Sequence, residues 1–518
     1  MGLAEKGENT VTTRIITDYL DQAVLSHGDK IAYADEERAL TFRQVQEEAH
    51  RIAQGLIDAG FFRRPVGIFL DKNTGCLTAM LGTAYSGCFY SVIDTQMPVE
   101  RIEKIVGTLE PAAVLTVSAY REQVAEFAPE AEILLLEDLL DHPADPEAIA
   151  SVGAKIMGSD LLYVLFTSGS TGNPKGVMTA HAHVINYIEA VSEAYHLDEH
   201  TISGNQTPFY FVMSIVEIFG TLRNCSTMYI IPHMHFAFPA LLMKYIEEKQ
   251  INFLYWVPSA LNMVANLNAF DCADISCVKM VSFGGEVMPV RQLNMWRKHL
   301  PDTVFINSYG PTEGTDGSTY YVIDREFPET ARLPIGIPFK NNEILVLDAE
   351  NHPIQGKGTG EYCIRSTSLT YGYYRNPEKT AEVYVQNPVN PYFEEKIYRT
   401  GDLVEFNEYG ELEYVGRKDF QIKHMGHRIE LGEIEANVSS ISGIDENCCV
   451  YDSERQKIIL FYSGKVSDEE VAERLKELLP DYMLPNKRIV MNPMPHNLNG
   501  KVDRAELKKL AAQRKHRK

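Results

Sequence analysis

Leu162-Tyr-Val-Leu-Phe-Thr-Ser-Gly-Ser-Thr-Gly-Asn-Pro-Lys-Gly-Val177 is the stretch from which the fold is read. An apolar run of strand length delivers the chain into Thr167, Ser168, Gly169, Ser170, Thr171 and Gly172, and then into Pro174-Lys175-Gly176. Glycines let backbone amides close around an anion, hydroxyls add donors and the lysine adds charge, which together suit a polyphosphate. The spacing Gly169-x-x-Gly172-x-x-Lys175 is not that of a Walker A loop, GxxxxGK[ST]. Taken alone, the segment also reads as a solvated Ser/Gly loop.

Upstream, Thr41-Phe-Arg-Gln44 reads as a capping box, followed by apolar positions Phe42, Val45, Ala49, Ile52, Ala53 and Leu56 at helical spacing and Gly60 as a stop. Strand-like runs at Val66–Leu70, Phe89–Ile93, Ala112–Val117, Met228–Ile231, Phe253–Val257 and Val278–Phe283 alternate with helical stretches. That alternation predicts helices packed on a mostly parallel sheet, an α/β body. From about Gly356 the texture changes to short strands with turn signals, and beyond Gly416 a helix start at Leu431, strands at Cys449–Tyr451 and Ile458–Tyr462 and a helix Asp468–Leu479 predict a compact α+β unit.

The 518 residues are 45% hydrophobic and 23% charged, which excludes wholesale disorder and makes several domains the expectation. The net charge of −22 argues against a nucleic-acid or anionic-membrane surface, because phosphates need clustered cations. Eight scattered cysteines without a CxxC pair predict reduced thiols, and no apolar run of signal-peptide or membrane-spanning type is present, so a cytoplasmic protein is expected.

Four further segments hold polar residues where strands end. Asn307-Ser-Tyr-Gly-Pro-Thr-Glu313 offers a planar ring at Tyr309 and a hard oxygen ligand for Mg²⁺ at Glu313. Tyr398-Arg-Thr-Gly-Asp402 places an acid suited to ribose hydroxyls. Gly416-Arg-Lys-Asp-Phe-Gln-Ile-Lys-His-Met-Gly-His-Arg-Ile-Glu-Leu-Gly-Glu-Ile-Glu435 marks the boundary of the two regions, and Asn499-Gly-Lys-Val-Asp-Arg504 sets a lysine on a glycine turn. His181-Ala-His183 and His233-Met-His235 lack a third metal ligand, so His181 is expected to be structural. Gly356-x-Gly358-x-Gly360 opens no helix and reads as a turn, not a dinucleotide fingerprint.

In order and interval these segments resemble the core motifs of the adenylate-forming superfamily: acyl-CoA synthetases, luciferases and the adenylation domains of nonribosomal peptide synthetases. The resemblance runs from Leu40 to Lys501, and Leu479-Pro-Asp-Tyr-Met-Leu-Pro485 with Tyr-Gly-Pro-Thr-Glu is similar to the amino-acid-activating branch. It implies a large N-terminal domain of packed mixed sheets with a small β-rich subdomain (1–415), a hinge (416–419, at Asp419) and a small mobile α+β lid (420–518) carrying the catalytic Lys501. It implies ATP held by the loop Thr167–Lys175, by Gly284, Gly285 and Glu286, by Asn307, Tyr309, Gly310 and Thr312, and by Asp402 and Arg417, with Mg²⁺ at Glu313.

The acid pocket implied by the resemblance comprises Val212, Met213, Val216, Ala260, Val281, Phe283, Ser308, Asp316 and Gly317. Amino-acid-activating relatives usually have an aspartate where this chain has Val212, and an ammonium buried against valine would be unpaired at a cost of several kcal/mol. The expected substrate is therefore a small carboxylic acid whose amino or hydroxyl group is displaced from the α-carbon, a β- or ω-amino acid or an aryl acid; an α-keto or α-hydroxy acid is the next alternative. The chain ends 17 residues after Lys501, too few for a carrier module, so the expected acceptor is the phosphopantetheine of a separate carrier protein. Free CoA and a non-catalytic adenylate-binding homologue are the alternatives.

Overall fold

The computed structural model describes residues 13–169, 173–453, 455–496 and 502–513, the side chain of Gln513 excepted. Helix Phe42–Asp58 starts where the capping box predicts: Thr41 Oγ1 accepts from the Gln44 amide at 3.3 Å and Gln44 Oε1 accepts from the Thr41 amide at 2.9 Å. Its buried stripe lies against helix Thr74–Tyr85, every residue of which is buried. Gly82 permits that approach, since a Cβ there would stand 2.6 Å from Ile52 Cβ.

Two large sheets form the body. One runs in the order Glu132–Leu135, Ala113–Thr116, Pro65–Ile68, Phe89–Val92, Leu161–Thr167 and Lys175–Ala180, parallel until its antiparallel last pair. The other has nine strands, with Val304–Tyr309, Met280–Gly284, Phe253–Trp256, Ile202–Asn205, Thr227–Ile230 and Ile31–Ala34 parallel and antiparallel strands closing both edges. A continuous apolar cluster joins them, from Leu165 and Tyr163 of the first to Trp256 and Phe283 of the second. The sheets are thus mixed, and the helices cover them as the alternating pattern requires.

A five-stranded antiparallel sheet follows, with Thr359–Ser366 and Lys396–Phe406 at its centre and its own core of Tyr309, Tyr362, Ile364 and Tyr398. It begins at Asn342, earlier than the turn signals near Gly356 indicate, because the first strand is a short run ahead of those turns. Beyond Arg417 come a hairpin, Gln421–His424 with His427–Glu430, and a three-stranded sheet of Ile444–Asp452, Lys457–Gly464 and Lys487–Val490. Cys448 and Val450 pack on one face of that sheet with Leu507 and Ala511, and Cys449 packs on the other with Ile434 and Val438.

Candidate functional site

The parallel strands Leu161–Thr167, Phe253–Trp256, Met280–Gly284 and Val304–Tyr309 send their carboxyl ends toward one cavity, walled by Thr167, Ser168, Tyr255, Gly284 and Gly310. Crevices at strand carboxyl ends are where open α/β sheets bind ligands. The antiparallel sheet adds Asp402 and Arg417, and the hairpin beyond residue 420 closes the mouth with Lys423, Gly426 and Arg428.

Around the phosphate-type loop, Lys175 is buried, with its ammonium 5.1 Å from the centroid of the Tyr373 ring and 3.7 Å from Glu430 Oε1. Ser168 Oγ donates to the Arg428 carbonyl at 2.6 Å, and the Gly169 amide donates to Glu433 Oε2 at 3.0 Å. Ser170, Thr171, Gly172 and Lys501 lie outside the described residues.

Glu313 sits fully buried in the single turn Thr312–Gly314, accepting from the Tyr373 hydroxyl at 2.7 Å and from Arg428 Nη1 at 2.9 and 2.7 Å on its two oxygens. Burial alone would raise its pKa, but Arg428 and then Lys175 overcome this and hold it at about 2. The carboxylate is therefore ionised throughout the neutral range, as a metal ligand must be.

Tyr309 donates its hydroxyl to Asp402, which also accepts from Arg417 Nη1 at 2.9 Å; Arg417 in turn holds Asp419 at 2.6 Å. Lys423 Nζ stands 5.0 Å from the centroid of the Tyr309 ring, and burial lowers its pKa. Gly284 is obligatory in its place, because a Cβ would fall 2.6 Å from the Ser308 carbonyl oxygen. Gly169, Lys175, Glu286, Asn307, Tyr309 and Glu313 do not line the cavity. Asn307 donates to the Pro334 carbonyl at 2.8 Å, while Glu286 accepts from the Ser259 amide at 2.9 Å and the Gly426 amide at 2.7 Å.

At the other end of the cavity Val212 and Met213 precede helix Ser214–Asn224 and face Ser308, Asp316 and Gly317 across the space. Asp316 is buried, and its Oδ2 accepts from Tyr187 at 3.0 Å and Tyr255 at 2.8 Å. Burial outweighs those two hydroxyls and pushes its pKa up to about 6. Val216, Ala260, Val281 and Phe283 are buried in the main core and do not line the cavity.

Sequence reading missed Arg101, Tyr187 and Tyr255, whose segments show no signal beyond ordinary helix and strand patterning, and gave no task to Tyr482, although it lies within the quoted motif Leu479–Pro485. Lys423 and Arg428 lay within the quoted boundary segment without an assigned task. His181 is structural, its Nδ1 accepting from the Ile16 amide at 3.1 Å, and the described residues hold no cluster of three metal-type ligands.

A family profile described as AMP-binding enzyme matches residues 20–374. Zwittermicin A synthase ZmaJ of Bacillus cereus is 31% identical over 95% of this chain and 94% of its own length. Tyrocidine synthase 3 of Brevibacillus parabrevis is 31% identical over 93% of this chain, which spans only 7% of that protein. Among solved structures, holo-PA1221, a nonribosomal peptide synthetase protein with adenylation and PCP domains bound to a vinylsulfonamide inhibitor, superposes with a TM-score of 0.82 at 21% identity, covering 96% of this chain and 84% of that one. The Vibrio cholerae adenylation domain AlmE, in complex with glycyl-adenosine-5'-phosphate, gives 0.82 at 18% identity over 99% and 100% of the two chains.

Proposed function

The chain belongs to the AMP-binding enzyme family, AMP-forming ligases of the adenylate-forming superfamily, and from that premise we propose that it activates a small carboxylic acid whose amino or hydroxyl group is displaced from the α-carbon, and passes it to the phosphopantetheine thiol of a separate carrier protein. The observation that carries the substrate reading is the buried Asp316 carboxylate with its two tyrosine hydroxyls, set in a wall that Val212 and Met213 leave apolar. A buried acid of this kind takes a cationic or hydroxyl partner.

A carboxylate is a poor acyl donor. Attack of its oxygen on the α-phosphorus of ATP breaks the bond to the β-phosphate, expels pyrophosphate and leaves a mixed anhydride; a thiol then attacks the carbonyl, loses its proton and expels AMP. Catalysis of the first step is positioning plus stabilisation of added negative charge. In this reading Lys501 supplies that charge, the loop Thr167–Lys175 wraps the outer phosphates, Asp402 and Arg417 hold the ribose, and Tyr309 with Gly284 and Gly285 flanks the adenine. Glu313 would hold Mg²⁺, which when bound would supply charge neutralisation for pyrophosphate. The domain division at 416–419, with Asp419 as hinge, belongs to the same proposal. Asp419 accepts from Arg417 within the hinge and from the Gln421 amide at the start of the lid, at 3.1 Å, so it is bonded on both sides of the proposed pivot.

A cytoplasmic location without nucleic-acid or membrane partners goes with this reading. The eight cysteines are free thiols, and no described helix is long and apolar enough to cross a membrane.

The test is acid-dependent ATP–pyrophosphate exchange with α-amino, β-amino, ω-amino, aryl and α-keto acids, on wild type and Asp316→Ala, followed by thioester formation on a phosphopantetheinylated carrier and on free CoA. Preference for displaced-amine or hydroxyl acids that is lost in Asp316→Ala is the expected result. Strong preference for a common L-α-amino acid overturns the substrate assignment, efficient turnover on CoA alone overturns the acceptor, and no exchange with any acid overturns the activity.

A further inference from the structure

Asp316 is gripped from one side. Both tyrosine hydroxyls, Tyr187 at 3.0 Å and Tyr255 at 2.8 Å, donate to the same oxygen, Oδ2, and among the described residues Oδ1 receives no hydrogen bond. Tyr255 belongs to the cavity wall, but Tyr187, fully buried on helix His181–Tyr195, stands behind it. Its hydroxyl lies over Gly317, where a Cβ would fall 2.7 Å from Tyr187 Oη, and its ring is set edge-on to Phe339 with centroids 5.8 Å apart. The backbone is held as closely as the side chain. Thr315 and Asp316 both have positive φ, 59° and 77°, a region that side-chain-bearing residues keep only where their surroundings over-determine it. Thr315 Oγ1 adds one such tie by donating to the Ser368 carbonyl at 2.6 Å.

We propose that Tyr187 is a specificity-positioning residue, acting through Asp316: it locks the carboxylate so that Oδ1 is turned to the cavity and accepts from a protonated amine at the far end of the acid. This rests on the reading of Asp316 given above and narrows its partner from an amine or hydroxyl to an ammonium. The two tyrosines are neutral donors, which satisfy the lone pairs of Oδ2 without cancelling the charge. A substrate hydroxyl on Oδ1 would be a third neutral donor and leave a buried charge uncompensated, whereas an ammonium brings a donor and the opposite charge together. The groups around the carboxyl leave that role open. Tyr187 and Tyr255 bond it, Tyr163 and Tyr195 only sense its charge, and Lys423, the one cation of this set, makes no ion pair with it. Without the Tyr187 hydroxyl the carboxyl is free to turn, and its charge is no longer aimed at one point of the cavity.

ATP–pyrophosphate exchange on the full chain tests this with β-alanine, γ-aminobutyrate and β-hydroxypropionate, against propionate and butyrate as amine-free partners. Wild type is expected to prefer the amine-bearing acid by about tenfold or more in kcat/KM. Tyr187→Phe keeps the ring and loses the hydroxyl. It is expected to raise KM for the amine-bearing acid about fivefold or more, with kcat, KM for ATP and KM for the amine-free acid changed by less than about twofold. In the same variant the acid limb of the KM profile should move up by about half a pH unit or more, because a donor that holds the Asp316 carboxyl down is gone. Tyr255→Phe should move that limb in the same direction, and Asp316→Asn should abolish it. An unmoved limb in Tyr187→Phe, or an equal rise in KM for the amine-free acid, overturns the positioning role. Preference for β-hydroxypropionate over β-alanine overturns the ammonium and leaves the reading of Asp316 standing. Undiminished preference in Asp316→Asn removes that reading and this proposal with it.

Discussion

Glu313 and Asp316 are buried carboxylates on one short turn, yet their surroundings drive them in opposite directions. Glu313 is held at about 2 because burial is outweighed by Arg428 and Lys175, whereas Asp316 is pushed to about 6 because burial prevails over two neutral hydroxyls. Glu313 has its compensating arginine on the lid, whereas Asp316 has its two hydrogen-bond partners on the large domain, and Lys423 of the lid adds only a weaker coulombic pull. The phosphate end is thus balanced across two parts of the molecule and can be re-partnered by moving one of them. The acid end is hydrogen-bonded within one part and has no directly paired cation, which suits the proposed contact with substrate.

The sharpest way to break the contrast is Glu313→Gln. It strands Arg428 and removes the proposed metal ligand, so ATP–pyrophosphate exchange should fall at least 100-fold, about 3 kcal/mol or more, with loss of backbone hydrogen-exchange protection across 421–430. An effect under tenfold would mean that Glu313 is only structural. Lys501→Ala should cost adenylation about 100-fold or more while thiol transfer from pre-formed acyl-adenylate changes by less than about tenfold; equal damage to both would show that Lys501 does not serve the first step alone.

Asp316→Asn should raise KM for the acid by about 10–100-fold, roughly 1.4–3 kcal/mol of lost pairing, with KM for ATP unchanged. The two residues also differ in the sign of their pH dependence. The Asp316 carboxyl holds its proton more tightly folded than unfolded, so its contribution to stability is lost as pH rises from about 4 to 6. Asp316→Asn should consequently gain up to about 3 kcal/mol at pH 8, read as a higher denaturation midpoint. Glu313 contributes stability above its unfolded value that is lost as pH falls toward 2. In wild type, KM for an amine-bearing acid should rise below pH 6 as Asp316 protonates; a flat profile there would detach Asp316 from the substrate. The smallest effect expected is Val212→Asp, which offers an α-ammonium partner and should shift selectivity toward α-amino acids by about tenfold in kcat/KM ratio.

Legibility in the sequence follows the range of the interactions. The capping box at Thr41, the strand Leu161–Thr167 and the strand at Cys449–Tyr451 were readable because period and cap chemistry are local. The turn holding Glu313 and Asp316 was readable as a polar knot, but the opposite fates of its two acids were not. Tyr187 and Tyr255 reach Asp316 from a helix and a strand distant in sequence, and Arg101 reaches Glu433 across 332 positions. Val216, Val281 and Phe283 were assigned to the pocket by resemblance, yet they lie in the core and off the cavity wall.

The lid sheet carries an apolar cluster on each of its faces, with helix Leu431–Ser439 on one and helix Arg504–Gln513 on the other. A body clamped from both sides is stiff, and stiffness turns it into a lever. Wherever the corner at Arg428 and Glu433 is anchored, the opposite face is swung to a matching place without any contact passing between them, so a handful of charges at the fulcrum steers an element they never touch.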